Sequence, residues 1–188
     1  MKTLNTFLAV PAAALVVAGL GACAMPSSSA SGSSSGSGPR AMAPLQAKSG
    51  SQVAGTIFFT PQGSGLRVVA RVSGLTPNQE HGFHVHEKGD CSAPDAMSAG
   101  GHFNPTGQPH GPQAMPHHGG DMPSLKADAV GNAEATFTIE GVTLAGATDG
   151  VIGKAVIVHA KADDYKTQPT GDSGGRIACG VIATAAGG

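Results

Sequence analysis

The chain has 188 residues, a formal net charge of −1, 29 glycines, 13 prolines and no tryptophan. A sequence so rich in turn formers argues against a helical bundle. Charged residues make up only 12% and are nearly balanced, so the composition offers no Lys/Arg stripe for a nucleic-acid backbone. A membrane-spanning helix needs roughly 18 to 20 uninterrupted apolar residues, and no stretch of the sequence has them.

The first 22 residues are typical of an export signal. Lys2 supplies the positive start, and residues 7–20 form an apolar stretch followed by small residues. The tetrapeptide LGAC, which ends at Cys23, resembles the lipobox of bacterial lipoproteins and predicts lipidation of Cys23. An ordinary secretory signal, cleaved near the A-C-A tripeptide at residues 22–24, is the alternative. Either signal predicts an exported protein of the periplasm or cell envelope, and the lipobox predicts a membrane anchor.

Residues 23–50 are predicted to form a lipidated cysteine followed by a flexible tether. Residues 27–38 contain only serine, glycine and one alanine. Such a segment has too few apolar side chains to form a core and behaves as a coil. The folded domain is therefore expected in residues 51–188.

Residues 51–188 carry a strand-like pattern almost throughout. Short runs of alternating or β-branched residues are separated by turn signals, which is typical of an all-β sandwich or barrel. The predicted strands cover residues 52–60, 65–74, 81–87, 133–140, 151–160 and 176–184. Residues 89–125 have no strand pattern, and a gap of this length in a compact domain is usually functional or disordered.

Histidines are concentrated around this gap, since seven of the eight lie between His81 and His118. His84 and His86 share one face of a predicted strand because side chains alternate with a period of two. His102, His110 and His118 follow in the gap, with a carboxylate near the last of them. Imidazole suits copper and zinc, and carboxylate is a further zinc ligand, so the pattern indicates a metal site.

Four segments together resemble copper/zinc superoxide dismutase in order and spacing, over about 135 residues. They are GFHVHE at 82–87, GHFNP at 101–105, VHAKADD at 158–164 and GRIACGVI at 175–182. The resemblance implies a flattened eight-stranded Greek-key β-barrel, an immunoglobulin-like sandwich with long metal-binding and active-site loops. The short segment 164–176 resembles the bacterial extracytoplasmic branch of the family.

The resemblance also implies one copper and one zinc per subunit, joined by a shared histidine. The implied copper ligands are His84, His86, His102 and His159. The implied zinc ligands are His102, His110, His118 and Asp121. His81 and His117 are assigned no metal.

Three further assignments come from the same resemblance. Asp163 matches a carboxylate that links one copper histidine to one zinc histidine, here His84 and His110; a surface charge beside Asp164 is the alternative. Cys91 and Cys179 match the intrasubunit disulfide. Arg176 matches the arginine beside the copper channel, with Lys88 and Lys126 as candidate assisting lysines.

The activity implied is the dismutation of superoxide to dioxygen and hydrogen peroxide, with Arg176 and His102 as the catalytic residues. Superoxide is the expected partner, nucleic acid is not expected, and the protein is expected to be a monomer or a homodimer. The main alternative is a copper-binding or copper-delivery module without turnover. A zinc-only structural or adhesive lipoprotein fits the four copper-type histidines less well. A zinc hydrolase is a weaker alternative, because no free carboxylate base accompanies the histidines in a recognisable motif.

Overall fold

The computed structural model describes Gly38 and residues 40–185. The predicted signal peptide, Cys23 and most of the predicted tether lie outside these residues. Ten strands and one 3-10 turn, Met97–Ala99, are present in the described part. The strands are β1 Arg40–Ala47, β2 Ala54–Gln62, β3 Gly65–Ser73, β4 Glu80–His81, β5 Phe83–His86, β6 Leu125–Lys126, β7 Ala133–Glu140, β8 Ala155–His159, β9 Arg176–Val181 and β10 Ala183–Ala185. Within the described residues, no helix is long and apolar enough to cross a bilayer.

The strands form one curled antiparallel sheet in the order β5-β8-β9-β1-β2-β3-β7, with β10 on the side of β1 and a separate β4-β6 ribbon. β1 joins the two halves because it pairs with β2 through Ala41–Leu45 and with β9 through Gln46–Ala47. The concave side holds the core. The predicted all-β fold is confirmed.

Alternation in β3 shows how the sequence selects the inner face. Leu66, Val68, Ala70 and Val72 are buried, while Arg67 and Arg71 between them are exposed. β5 and β8 differ because every residue in them is buried. One face of these two strands meets the core, where Phe83 contacts Phe137 edge to face. The other face carries the histidines and is covered by loops.

The structure differs from the sequence prediction at the start of the domain. Residues 40–47 were predicted as tether but form β1, in which Ala41, Ala43 and Leu45 are buried. The sequence pattern does not predict this strand because it contains Pro44 and several alanines, and neither residue type favours strands. Pro44 is tolerated on the outward-facing side of the sheet, where it is exposed.

Three other predicted strands are shorter than expected. The predicted strand 176–184 is divided at Ile182 between β9 and β10. The predicted strand 81–87 is divided at Gly82 between β4 and β5. In the apolar run 151–160 only Ala155–His159 is strand, because residues 152–154 turn before entering it. The predicted limits of β7 agree with the structure.

The predicted disulfide between Cys91 and Cys179 is confirmed. It fastens the start of the long loop to β9 across a sequence separation of 88 residues. In the chain-entropy model a closed loop of this size stabilises the fold by roughly 4 to 5 kcal/mol. The long loop is thus held at one end by a covalent bond.

Candidate metal centre

The long loop returns along the free edge of β5 and supplies half of the candidate site. The Phe103 amide donates to the Val85 carbonyl at 2.8 Å, and the Val85 amide donates to the Gly120 carbonyl at 2.8 Å. Gly120 permits this approach because a Cβ there would overlap the Val85 carbonyl oxygen. The loop therefore brings His102 and Asp121 opposite the two histidines of β5, as bridges His86–His102 and His84–Asp121.

Four histidines from three parts of the chain converge on one buried point. His84 and His86 lie on β5, and His159 ends the neighbouring strand β8. His102 comes from the loop, and its ring lies 4.0 Å from that of His84 and 5.0 Å from that of His86, measured between centroids. The His159 ring lies 4.9 Å from that of His84. All four side chains are buried.

Each of these four imidazoles has one buried nitrogen without a hydrogen-bond partner. They are His84 Nδ1, His86 Nε2, His102 Nε2 and His159 Nε2. Leaving such an atom unsatisfied costs about 1–3 kcal/mol, so four of them together indicate a bound group. One donor atom from each residue lies within 4.8 Å of all the others. Four nitrogen donors at this spacing fit a copper ion.

Burial keeps these histidines neutral. It lowers the pKa of His102 to about 4 and that of His159 to about 3, despite an opposing hydrogen bond in each case. Burial also lowers the pKa of His84, and that of His86 well below its usual value. A neutral imidazole has a free lone pair, so the cluster is ready to bind metal at neutral pH.

A second cluster lies on the other side of His102. His102 Nδ1 is 2.8 Å from Asp121 Oδ1, and His110 Nδ1 is 3.0 Å from Asp121 Oδ2. His118 Nδ1 is 3.3 Å from Asp121 Oδ1 and 3.4 Å from His102 Nδ1. Three imidazole nitrogens around one carboxylate are a donor set that suits zinc. His102 faces both clusters, one with each ring nitrogen.

The tightest set of donors in this second cluster contains His84 in place of His118, together with His102, His110 and Asp121. We favour His118 because His84 is committed elsewhere. Its Nε2 contacts Asp163, and its Nδ1 belongs to the four-histidine group. His118 has no competing contact at Nδ1 beyond this cluster.

Asp163 connects the two clusters through the Nε2 atoms of His84 and His110, which face away from the clusters. Its Oδ2 lies 2.7 Å from His84 Nε2, and its Oδ1 lies 2.9 Å from His110 Nε2. A carboxylate in this position fixes the orientation and tautomer of both rings. The side chain is buried, so the alternative of a surface charge does not apply.

Two neighbours of His110 were missed in the sequence. Gln168 accepts from the His110 amide and donates to its carbonyl, both at 2.8 Å. Gly171 has φ +67°, and a Cβ there would overlap Asp163 Oδ1 and crowd His110 Nε2. A glutamine and a glycine in a loop carry no metal-binding pattern, so only the folded chain reveals these roles.

The positive charge of the second cluster lies on His110. Burial opposes protonation of its ring, but the hydrogen bonds and charges of Asp121 and Asp163 outweigh this and raise the pKa to about 9. Burial also opposes ionisation of both carboxyls, yet hydrogen bonds from the histidines hold their pKa values well below the usual range. Without metal, His110 is therefore a buried cation between two carboxylates.

Arg176 lies at the start of β9, beside a cavity of about 450 Å³ that His159 also lines. Its guanidinium donates to the Ala96 carbonyl at 2.8 Å and to the Gly100 carbonyl at 2.6 Å. Gly100 also accepts from His86 Nδ1 at 2.9 Å. Asp95 lines the same cavity and partly offsets the lowering of the Arg176 pKa by burial.

The remaining candidates lie apart from these clusters. His81 is buried, and its Nδ1 is 2.8 Å from the His159 carbonyl. His117 faces a different groove, beside the exposed Met115. Neither Lys88 nor Lys126 is among the residues that line the Arg176 cavity.

Comparisons with known proteins agree with this geometry. A family model for copper/zinc superoxide dismutase matches residues 53–182. The chain is 40% identical over 138 residues to superoxide dismutase (Cu-Zn) 2 of Aquifex aeolicus, covering 70% of this chain and 80% of that one. It is 42% identical over 144 residues to the Cu-Zn superoxide dismutase of Deinococcus radiodurans, covering 70% and 78%.

Solved structures give the same result. A SOD-like protein from Bacillus subtilis is similar with a TM-score of 0.67 and 38% identity, covering 74% of this chain and 95% of that one. The clock protein EA4 is similar with a TM-score of 0.70 and 39% identity, covering 77% and 93%. Because the family model spans most of the domain that carries both clusters, the chain belongs to the copper/zinc superoxide dismutase family.

Proposed function

We propose that the chain dismutates superoxide at a histidine-bridged copper/zinc centre. Two superoxide anions and two protons give one dioxygen and one hydrogen peroxide. The observation that carries this proposal is the set of four unpartnered buried imidazole nitrogens, one of which belongs to His159 in the wall of the cavity that Arg176 also lines. A bound copper supplies the one-electron oxidation and reduction that the reaction requires.

The proposed copper ligands are His84, His86, His102 and His159, and the proposed zinc ligands are His102, His110, His118 and Asp121. His102 shares its two ring nitrogens between the clusters. Its Nε2 faces the copper cluster and is the atom at which a proton can be held and passed to reduced substrate. Asp121 and His118 hold the Nδ1 side in place.

Arg176 is the proposed guide for the anionic substrate. Its positive charge lies beside the cavity that His159 also lines, and Arg176 is not one of the proposed metal ligands. Fixed charge in a narrow channel raises the association rates of charged ligands by roughly 10- to 1000-fold, a range for which superoxide dismutase is itself one of the cited examples. The hydrogen bonds to Ala96 and Gly100 keep the guanidinium in this position.

The complete donor set distinguishes this function from that of a copper-delivery module without turnover. None of the four predicted copper histidines is missing, and Arg176 is present. The protein is further proposed to be an exported lipoprotein of the cell envelope, anchored through Cys23. The lipobox-like LGAC at residues 20–23 and the apolar stretch before it support this proposal. A monomer or a homodimer remains the prediction for its assembly.

Replacing His86 tests the copper assignment. His86→Ala removes a nitrogen that faces only the copper cluster, so we expect copper content and dismutase activity to be lost while zinc and the fold remain. Elemental analysis, circular dichroism and superoxide consumption measure these effects. The matched variant Asp121→Ala should lose zinc first. Full activity of His86→Ala would show that the ligand assignment is wrong.

Zinc uptake by the metal-free protein should release a proton. The pKa of His110 is about 9, so this ring is protonated at pH 7, and zinc must displace that proton to reach Nδ1. We expect about one proton per zinc at pH 7 and almost none at pH 10, measured by calorimetry in buffers of different ionisation enthalpy. Copper loaded alone is the control, because its histidines are already neutral. Zinc uptake without proton release at pH 7 would contradict the charged state of His110.

Charge at position 176 should control the rate of substrate capture. Arg176→Gln should keep both metals but lower the second-order rate about tenfold or more at low salt, and weaken its dependence on salt. The control Arg176→Lys keeps the charge and should retain most of the salt dependence. Pulse radiolysis over a salt series measures both rates. An unchanged rate and salt slope in Arg176→Gln would assign steering to other residues.

Cys23→Ser should release the protein from the membrane fraction with its activity unchanged. Lipid attachment needs the cysteine thiol, whereas the metal centre lies in the separate folded domain. Detergent partitioning of the wild type and the variant measures the difference. A wild-type protein that stays in the aqueous phase would support the ordinary secretory signal.

A further inference from the structure

The charge of this chain is distributed unevenly along the sequence. After the predicted signal peptide, residues 23–79 contain four basic residues and no acidic one, whereas residues 80–188 contain 12 acidic and six basic residues. Of the four arginines in the chain, Arg40, Arg67 and Arg71 all fall in the first part. The near-neutral net charge therefore conceals a basic N-terminal part, a pattern that is typical of contact with an anionic surface.

The sheet brings these three arginines to one outer face. Strand alternation exposes Arg67 and Arg71 on β3, with Val69 between them. Val69 is in register with Phe58 of β2, and Phe58 is in register with Met42 of β1. These three side chains are partly buried and form an apolar row across the strands.

Arg40, Arg67 and Arg71 surround a groove of about 600 Å³ with Phe58, Val69 and Pro61 on its floor and walls. We call this surface the arginine groove. Arg71 also lies 3.9 Å from Glu134, but both side chains are largely exposed, at 67% and 82%. An exposed pair of this kind is weak, so it leaves the Arg71 guanidinium available to another anion.

We propose that the arginine groove docks the domain on anionic phospholipid headgroups of the membrane that holds its anchor. Arginine binds phosphate through paired N–H donors, and the apolar row suits the region just below the phosphates. The groove would therefore bind a row of lipid phosphates rather than a single small anion.

The position of the groove favours this occupant. Gly38 and Arg40 line it, so it lies where the N-terminal segment joins the domain. Only 15 positions separate Cys23 from Gly38, a span of at most about 50 Å even when fully extended. An anchor this close raises the effective concentration of lipid at the groove. The intervening segment contains no acidic residue.

Docking through this face leaves the metal centre accessible. The groove lies on β1, β2 and β3, whereas the site histidines and Arg176 lie on β5, β8, β9 and the loops. No residue of the groove lines the cavity beside Arg176. This part of the inference rests on the proposed anchor at Cys23, but headgroup binding itself can be measured without the anchor.

The test uses the metal-loaded mature chain carrying Cys23→Ser, so that lipid attachment does not contribute. Sedimentation with vesicles of phosphatidylcholine and phosphatidylglycerol is compared with vesicles of phosphatidylcholine alone. We expect binding only to the anionic vesicles, at low ionic strength. Arg67→Gln/Arg71→Gln should weaken it by about 30-fold, since each basic residue near such a surface contributes about fivefold. Lys88→Gln/Lys166→Gln is the control with the same net charge, and neither lysine lines the groove.

Several results would overturn the proposal. Equal binding of the two double variants would mean that net charge, not the groove, attracts the protein. Displacement by inorganic phosphate beyond that by chloride of equal ionic strength would indicate a small-anion site. A change from dimer to monomer in Arg67→Gln/Arg71→Gln, seen by sedimentation velocity, would make the face a subunit interface. The wild type could partition into detergent while the Cys23→Ser protein fails to bind anionic vesicles. That result would support the lipid anchor and refute the proposed role of the arginine groove.

Discussion

The contact of one buried carboxylate with two imidazoles is the constraint on which the whole centre depends. Asp163 holds His84 Nε2 at 2.7 Å and His110 Nε2 at 2.9 Å. Because each ring has only two nitrogens, this contact decides that Nδ1 of both histidines must face inward. One side chain thereby selects the donor atom in a strand histidine and in a loop histidine at the same time. Gly171 and Tyr165 shape its surroundings, the first by lacking a side chain and the second through an amide hydrogen bond at 2.6 Å.

Much of the fold and the candidate site could be predicted from the sequence because both follow short-range rules. Period-two alternation located β3 and β7, and it placed His84 and His86 on one side of β5. The parts that escaped prediction depend on contacts between distant segments. β1 consists of residues that are poor strand formers, and it becomes a strand because β2 and β9 pair with it from both sides. The grip of Gln168 on His110 joins residues 58 positions apart.

The distribution of charge likewise depends on contacts between distant segments as well as on the local sequence. The sequence contains no run of basic residues, and its balanced composition argues against a basic stripe for nucleic acid. Strand register nevertheless gathers three arginines that are widely separated along the chain. Among the acidic residues, Asp121 and Asp163 are buried against histidines, where their charge acts on the metal centre rather than on the protein surface. The net charge of the chain therefore indicates neither the basic groove nor the acidic groups of the metal centre.

The pairing of the long loop with β5 has a consequence for self-association. β5 is the last strand of the sheet, and its outer edge is satisfied by the Gly120 and Phe103 backbone groups. An uncovered edge strand is a template for pairing with other chains. Because His102, His118 and Asp121 belong to the same loop, whatever holds those side chains together also shields this edge. The bond from Cys91 to Cys179 keeps the start of the loop nearby. Metal retention and resistance to aggregation are thus coupled through a single segment of backbone.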